Sequence, residues 1–263
     1  MTRWMIGVAG LILGLTAGGT TGGSPLVRQA DSASLLYPGE EKHLANIKQL
    51  TFGGENAEAY FSADGRKLIF QSTRPPYQCD QIFIMNVDGS DVRLVSTGKG
   101  RTTCGYIFPK GDRILFSSSH HINPECPPRP DFSRGYVWGL YEHYDIFTAR
   151  LDGSDLRQLT TTPGYDAEAT ISPNGKKIVF TSMRDGDPDI YIMDADGRNV
   201  KRLTRTPGYD GGPFFSPDGK RIVYRANHPR NQKELADYQD LLKSGFIRPM
   251  RLELYVMDAN GSR

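Results

Sequence analysis

Phe215-Ser-Pro-Asp-Gly219, running into Lys220-Arg-Ile-Val-Tyr224, decides the fold. Pro at the second position of Ser-Pro-Asp-Gly pre-sets φ and Gly takes the fourth position that favours it, so the segment predicts a type I turn opening a hairpin. Three more copies stand at Phe61-Ser-Ala-Asp-Gly65, Ile107-Phe-Pro-Lys-Gly111 and Ile171-Ser-Pro-Asn-Gly175. Each leads into an apolar-rich strand, Lys67-Leu-Ile-Phe70, Arg113-Ile-Leu-Phe116, Lys177-Ile-Val-Phe180 and Arg221-Ile-Val-Tyr224, in which the residues three and five past the glycine are equivalent.

A second turn recurs downstream, at Val87-Asp-Gly-Ser90, Leu151-Asp-Gly-Ser154, Ala195-Asp-Gly-Arg198 and Ala259-Asn-Gly-Ser262, and is followed by Leu94-Val95, Leu159-Thr160 and Leu203-Thr204. Two hairpin turns per repeat imply four short strands. The first-turn glycines are 46, 64 and 44 residues apart, and a base period near 44 fits a four-stranded propeller blade. The longer intervals place an insertion between the second and third strands of blade two, near 120–142, and another in the same loop of blade four, near 228–249. The expected fold is all-β, a β-propeller of four-stranded blades with four repeats visible.

Composition agrees. Gly (29) and Pro (17) exceed a sixth of the 263 residues, and 13 Tyr with 12 Phe suit short strands joined by many turns. The net charge of +2, with no long run of one sign, argues against a dedicated nucleic-acid binder. Arg3 followed by the apolar stretch Met5 to Leu15 and by Ala17-Gly-Gly19 reads as an export signal. Eleven apolar residues are too few for a membrane span of ~20, so no stable span is expected after cleavage. Residues 1–19 are assigned to the signal, 20–44 to a flexible leader and 45–263 to the propeller. Export permits disulfides, and Cys79, Cys104 and Cys126 are too widely spaced for a CxxC motif. One disulfide and one free thiol are expected, with three pairings open.

The repeats resemble the TolB-like propellers, also described as WD40-like PD40 repeats, whose pattern is Leu-Thr, a Gly-rich loop, Ser-Pro-Asp-Gly, then Asp-Ile-Tyr-Val-Met-Asp-Ala-Asp-Gly. Blade three matches almost letter for letter in Ser172-Pro-Asn-Gly175 and Asp189-Ile-Tyr-Ile-Met-Asp-Ala-Asp-Gly197. The resemblance runs from about Ile47 to Arg263 and implies an exported, periplasmic or extracellular protein that binds envelope proteins through its propeller. It also implies a ring of six blades, so the four visible repeats leave two readings. Either Ile47-Lys-Gln-Leu-Thr51, a copy of the fourth-strand pattern, closes a four-bladed ring, or the chain is part of a larger one.

The loops before the innermost strands are expected to gather Glu55 and Glu58, Tyr165, Asp166 and Glu168, and Tyr209 and Asp210 into an acidic, aromatic-lined funnel suited to a cationic group, a peptide amine or a hard metal. Arg74 and Arg184, each in a Ser-x-Arg pattern after strand two, would stand near the same mouth, paired with nearby acids. In the blade-two insertion Trp138 and Tyr141 would pack a Pro-rich cover over it. The same insertion offers His120, His121 and His143 as a weak metal-site candidate, although adjacent histidines point apart on an extended strand. In the blade-four insertion Asn231 caps an amphipathic helix of about three turns.

No Gly-x-Ser-x-Gly elbow is present. The expected function is therefore a binding or scaffold module for an envelope protein or peptide, with no cofactor and with a small molecule as a possible further ligand. The alternative is a metal-dependent propeller enzyme, a lyase or hydrolase using the insertion histidines.

Overall fold

The computed structural model describes residues 36–262. The segment expected to be an export signal and most of the expected leader lie outside the described residues. The chain divides into two compact units, Met1–Gln49 and Leu50–Arg263. The described part of the first carries one 3-10 turn at Glu40–Lys42. Among the described residues no helix is long and apolar enough to cross a membrane.

The second unit is a propeller of four antiparallel sheets. Blade one holds β1 (Glu55–Phe61), β2 (Lys67–Thr73), β3 (Gln81–Asn86) and β4 (Arg93–Leu94), paired in that order. Blade two holds β5 (Thr102–Ile107) and β6 (Arg113–Ser118), then, beyond a loop containing β7 (Trp138–Gly139), β8 (Asp145–Arg150) and β9 (Arg157–Gln158). Blade three holds β10 (Asp166–Ile171), β11 (Lys177–Ser182), β12 (Asp189–Asp194) and β13 (Lys201–Arg202). Blade four holds β14 (Tyr209–Phe215) and β15 (Arg221–Asn227), then α1 (Gln232–Lys243) and β16 (Phe246–Ile247) in its loop, and finally β17 (Glu253–Asp258). Blade four has three strands among the described residues, and Ile47–Thr51 forms none, so the closure of a four-bladed ring by that segment is not made.

Strand alternation sorts each middle strand between two neighbours. Ile114 and Phe116, three and five past their glycine, pack against Ile69, Ile82 and Ile84 of blade one. Ile178 and Phe180 do the same against Leu115 and Ile146, and Ile222 and Tyr224 against Val179 and Ile190. Each such side chain contributes about 1.5–3 kcal/mol when fully buried. The hydrophobic core is therefore a series of inter-blade seams.

The Leu-Thr signature is a polar strut. The Thr204 hydroxyl donates to Asp189 at 2.9 Å and accepts the Ile190 N–H at 2.9 Å, tying the start of strand three to the end of strand four. Thr160, Asp145 and Ile146 repeat this arrangement. In blade one the equivalent hydroxyl is Ser96, which donates to Gln81 at 2.8 Å and accepts from Ile82. The true counterpart of Leu-Thr there is Val95-Ser96 rather than Leu94-Val95, because the strut is defined by its hydroxyl.

Candidate functional site

Every innermost strand carries a β-bulge at the same place, between Ala57 and Tyr60, Thr103 and Tyr106, Ala167 and Thr170, and Gly211 and Phe214. Within the bulges Glu58, Cys104, Glu168 and Gly212 adopt left-handed φ values of 50°, 55°, 56° and 58°. For a residue other than glycine that conformation costs about 1–3 kcal/mol and persists only where the surroundings hold it. The four positions ring one neck on the propeller axis. Just below, Tyr60, Tyr106 and Phe214 meet with ring centroids 5.5–6.0 Å apart. Tyr106 is the axial residue of blade two; Ile107 is 3% exposed and belongs to the inter-blade core.

Glu168 organises one side of the neck. It accepts hydrogen bonds from Tyr209 (2.8 Å), Thr181 (2.7 Å) and the Gly212 N–H (2.8 Å), and it pairs with Arg225 at 2.7 Å. Blade four can send Arg225 across because Gly212 has no side chain, and a Cβ there would lie 3.2 Å from Nε of Arg225. The guanidinium lies over the Trp138 ring, 4.8 Å from its centroid. On the other side Glu58 has no ion-pair partner within the neck. The residue stays exposed, yet partial desolvation by the surrounding protein raises its carboxyl pKa; the Cys104 hydrogen bond and Arg225 oppose the rise, while Glu168 adds to it. The half-buried Cys104 is the free thiol, and burial, then Glu58 and Glu168, push its pKa up.

Above the neck opens a cleft of about 510 Å³. Its floor includes Glu58, Cys104, Glu168 and Arg225, and its wall includes Phe132, Tyr136, Trp138 and Tyr141 from the blade-two insertion. Two ties hold that wall in place. The Cys79–Cys126 disulfide fixes the insertion to the loop after β2 in blade one. In addition β7 pairs antiparallel with β16, Gly139 opposite Phe246 and Trp138 opposite Ile247, so the insertions of blades two and four meet in a two-stranded ladder. Helix α1 is capped by Asn231, whose side chain accepts the Glu234 N–H at 3.0 Å. It docks on its own propeller, with Leu241 1% exposed, Leu242 in a core with Tyr165 and Tyr209, and Tyr238 bonded to Asp187.

The structure distributes the sequence-derived candidates unevenly. Glu55, Glu58, Tyr165, Glu168 and Trp138 line the cleft. Glu55, Glu58, Asp166, Glu168, Tyr209 and Asp210 lie on the innermost strands themselves rather than in the preceding loops, since the bulge lets each strand begin earlier. Asp166 is 1% exposed and pairs with Arg184 at 3.0 Å, behind the cleft. Asp210 is fully buried against His228 at 2.8 Å, and Tyr209 supports Glu168 from below. Arg74 turns onto Phe83 at 4.8 Å and bonds Asn56 and Ser72.

Nor do the insertion histidines converge. His120 packs on Phe147 at 4.6 Å, His121 bonds Asp145 at 2.8 Å, and His143 is exposed. Burial, with His121 and Lys99 as lesser causes, lowers the His120 pKa to about 4. Among the described residues no group of three or more His, Cys, Asp or Glu is placed to hold a metal ion.

Bulged inner strands, inter-blade seams and hydroxyl struts define a β-propeller built from four-stranded repeats. Its repeats are similar to the TolB-like propellers: residues 137–246 match the PD40 family, described as the TolB beta propeller domain. A 39-residue stretch is 49% identical to the Tol-Pal system protein TolB of Bordetella pertussis, covering 15% of this chain and 9% of that protein. Among solved structures, TolB from Acinetobacter baumannii aligns with a TM-score of 0.57 at 20% identity, over 80% of this chain and 42% of that one. A puromycin hydrolase S511A mutant complexed with PGG aligns with a TM-score of 0.50 at 14% identity, over 80% of this chain and 28% of that one. At these identities the likeness is one of fold. The chain spans less than half the length of these relatives.

Proposed function

We propose that this propeller is exported and acts as a non-enzymatic binding module of the cell envelope, holding a segment of another protein in the cleft at its insertion-bearing mouth. The observation that carries this reading is the ladder between β7 and β16. It braces the blade-two insertion, whose aromatic side chains line a cleft of about 510 Å³, against the insertion of blade four, and that volume is within the range that ligand sites occupy. Phe132 and Tyr136, stacked 6.3 Å apart, remain 52% and 66% exposed at its rim, where aromatic side chains serve as contact anchors. Similarity to the TolB beta propeller domain and to a stretch of the Tol-Pal system protein TolB of Bordetella pertussis supports an envelope partner.

The test is affinity capture from envelope extract with residues 45–263 as bait, beside Phe132→Ala/Tyr136→Ala. A partner bound by the parent and lost from the variant supports the reading. Equal capture by both, or none by either, removes it.

A further inference from the structure

Among the described residues two of the four acids that line the cleft, Glu55 and Glu58, form no ion pair, and neither does the lining Arg129. Of the acids that line it, Glu168 is neutralised by Arg225 at 2.7 Å, and Asp80 lies 3.7 Å from Arg101. Those two arginines are committed elsewhere as well, Arg225 over Trp138 and Arg101 over Tyr141 with its guanidinium donating to that hydroxyl at 2.7 Å. Neither Glu55 nor Glu58 has such a cation, and of the two only Glu58 also lines the cavity beneath. Glu58 lies where the cleft narrows, lining both the outer cleft and the cavity of about 60 Å³ beneath it. The bulge holds its backbone at φ 50°. Glu58 keeps access to solvent and has no ion pair, so its charge is available to a cation that enters the neck. The walls are suited to the same visitor, because aromatic faces attract cations and two guanidinium groups of this chain already lie on them.

We infer that the neck is a subsite for a cationic side chain of the bound polypeptide, with the Glu58 carboxylate as its counter-ion. Arginine fits best, since its planar fork can donate two parallel hydrogen bonds to one carboxylate while its face lies against an aromatic ring. Lysine would reach the same carboxylate as a point charge. The inference rests on the reading that the mouth holds a polypeptide, and it adds the chemistry of the residue that enters deepest.

The experiment is calorimetric titration of the propeller with arginine amide, lysine amide and citrulline amide, the last having arginine's shape without its guanidinium charge. Arginine amide should bind at least tenfold more tightly than citrulline amide. Glu58→Gln should remove that preference, whereas Asp64→Asn, in an exposed turn, should keep it. Equal binding of arginine and citrulline amides, no binding of either cation to the parent, or an undiminished preference in Glu58→Gln overturns the subsite. The comparison on the parent protein decides the matter even if Glu58→Gln fails to fold. A partner captured through Phe132 and Tyr136 with no preference for cations would overturn this inference and leave the binding module standing.

Discussion

Arg225 of blade four reaches Glu168 of blade three at 2.7 Å through the space that the missing side chain of Gly212 leaves. The pair is mostly enclosed, with Glu168 also tied to Tyr209, Thr181 and the Gly212 backbone. Removing one partner of such a pair strands the other, so a double-mutant cycle of Glu168→Gln and Arg225→Met in urea should give a coupling of about 1–3 kcal/mol. Additive losses would mean that the two side chains act independently.

Gly212 should be intolerant for the same reason. Gly212→Ala places a Cβ 3.2 Å from Nε of Arg225 on a backbone at φ 58°, and the expected loss is about 1–3 kcal/mol. Gly65→Ala, where φ is +68° but nothing lies within 4 Å, should cost only the conformational part, about 1 kcal/mol. Equal losses at the two positions would show that the Arg225 contact is unimportant.

The hydroxyl struts can be tested by shape-conserving substitution. Thr204→Val leaves Asp189 and the Ile190 N–H each short of a partner and should cost about 1–3 kcal/mol in chemical denaturation, with Thr204→Ser restoring most of it. Equal stability of the Val and Ser variants would show that the strut contributes nothing.

His120 gives a pH dependence of known sign. Burial lowers its pKa to about 4 in the folded protein, below the ordinary histidine value of 6.5, so the unfolded chain binds the proton more readily. Its contribution is present above pH 6.5 and is lost as the pH falls towards 4. Because the ring is only partly enclosed, about 1–2 kcal/mol is expected rather than the full linkage value. The difference in unfolding free energy between wild type and His120→Gln should shrink by that amount between pH 7 and pH 4; a constant difference would rule out the assignment.

The Cys79–Cys126 disulfide closes a 47-residue separation and should stabilise by about 2–4 kcal/mol. Cys126→Ser should show that loss and also free the cleft wall, raising the proteolytic sensitivity of residues 127–136. Unchanged cleavage would mean that the β7–β16 ladder alone secures the wall.

Much of this was legible in the sequence because the repeat is a register. The residue seven before each first-turn glycine is Glu58, Cys104, Glu168 or Gly212, and the residue six after it is Gln71, Ser117, Thr181 or Arg225. The first set forms the neck. From the second set, Gln71 accepts from the Cys104 N–H, and Thr181 and Arg225 bond Glu168. Reading position by position rather than loop by loop would therefore have found Cys104 and Arg225, and would have set aside Asp166 and Asp210 as struts behind the cleft. The cleft wall had no such signal. Trp138 stands out as a large aromatic residue, but its pairing with Ile247 joins segments over a hundred residues apart, and two-residue strands carry no periodicity. The cysteine pairing likewise depended on where the insertion lies in space.

That short ladder alters how the molecule should come apart. Repeat proteins are close to one-dimensional, each unit being held by its immediate neighbours, so they can fray one unit at a time. Joining the insertions of blades two and four bridges over blade three, which cannot detach until the bridge opens. In hydrogen exchange, blades two to four should behave as one cooperative block, with blade one fastened to it by the disulfide and a single seam. The two insertions would then be a clasp as well as a binding wall, and a partner gripping them would lock the block from outside.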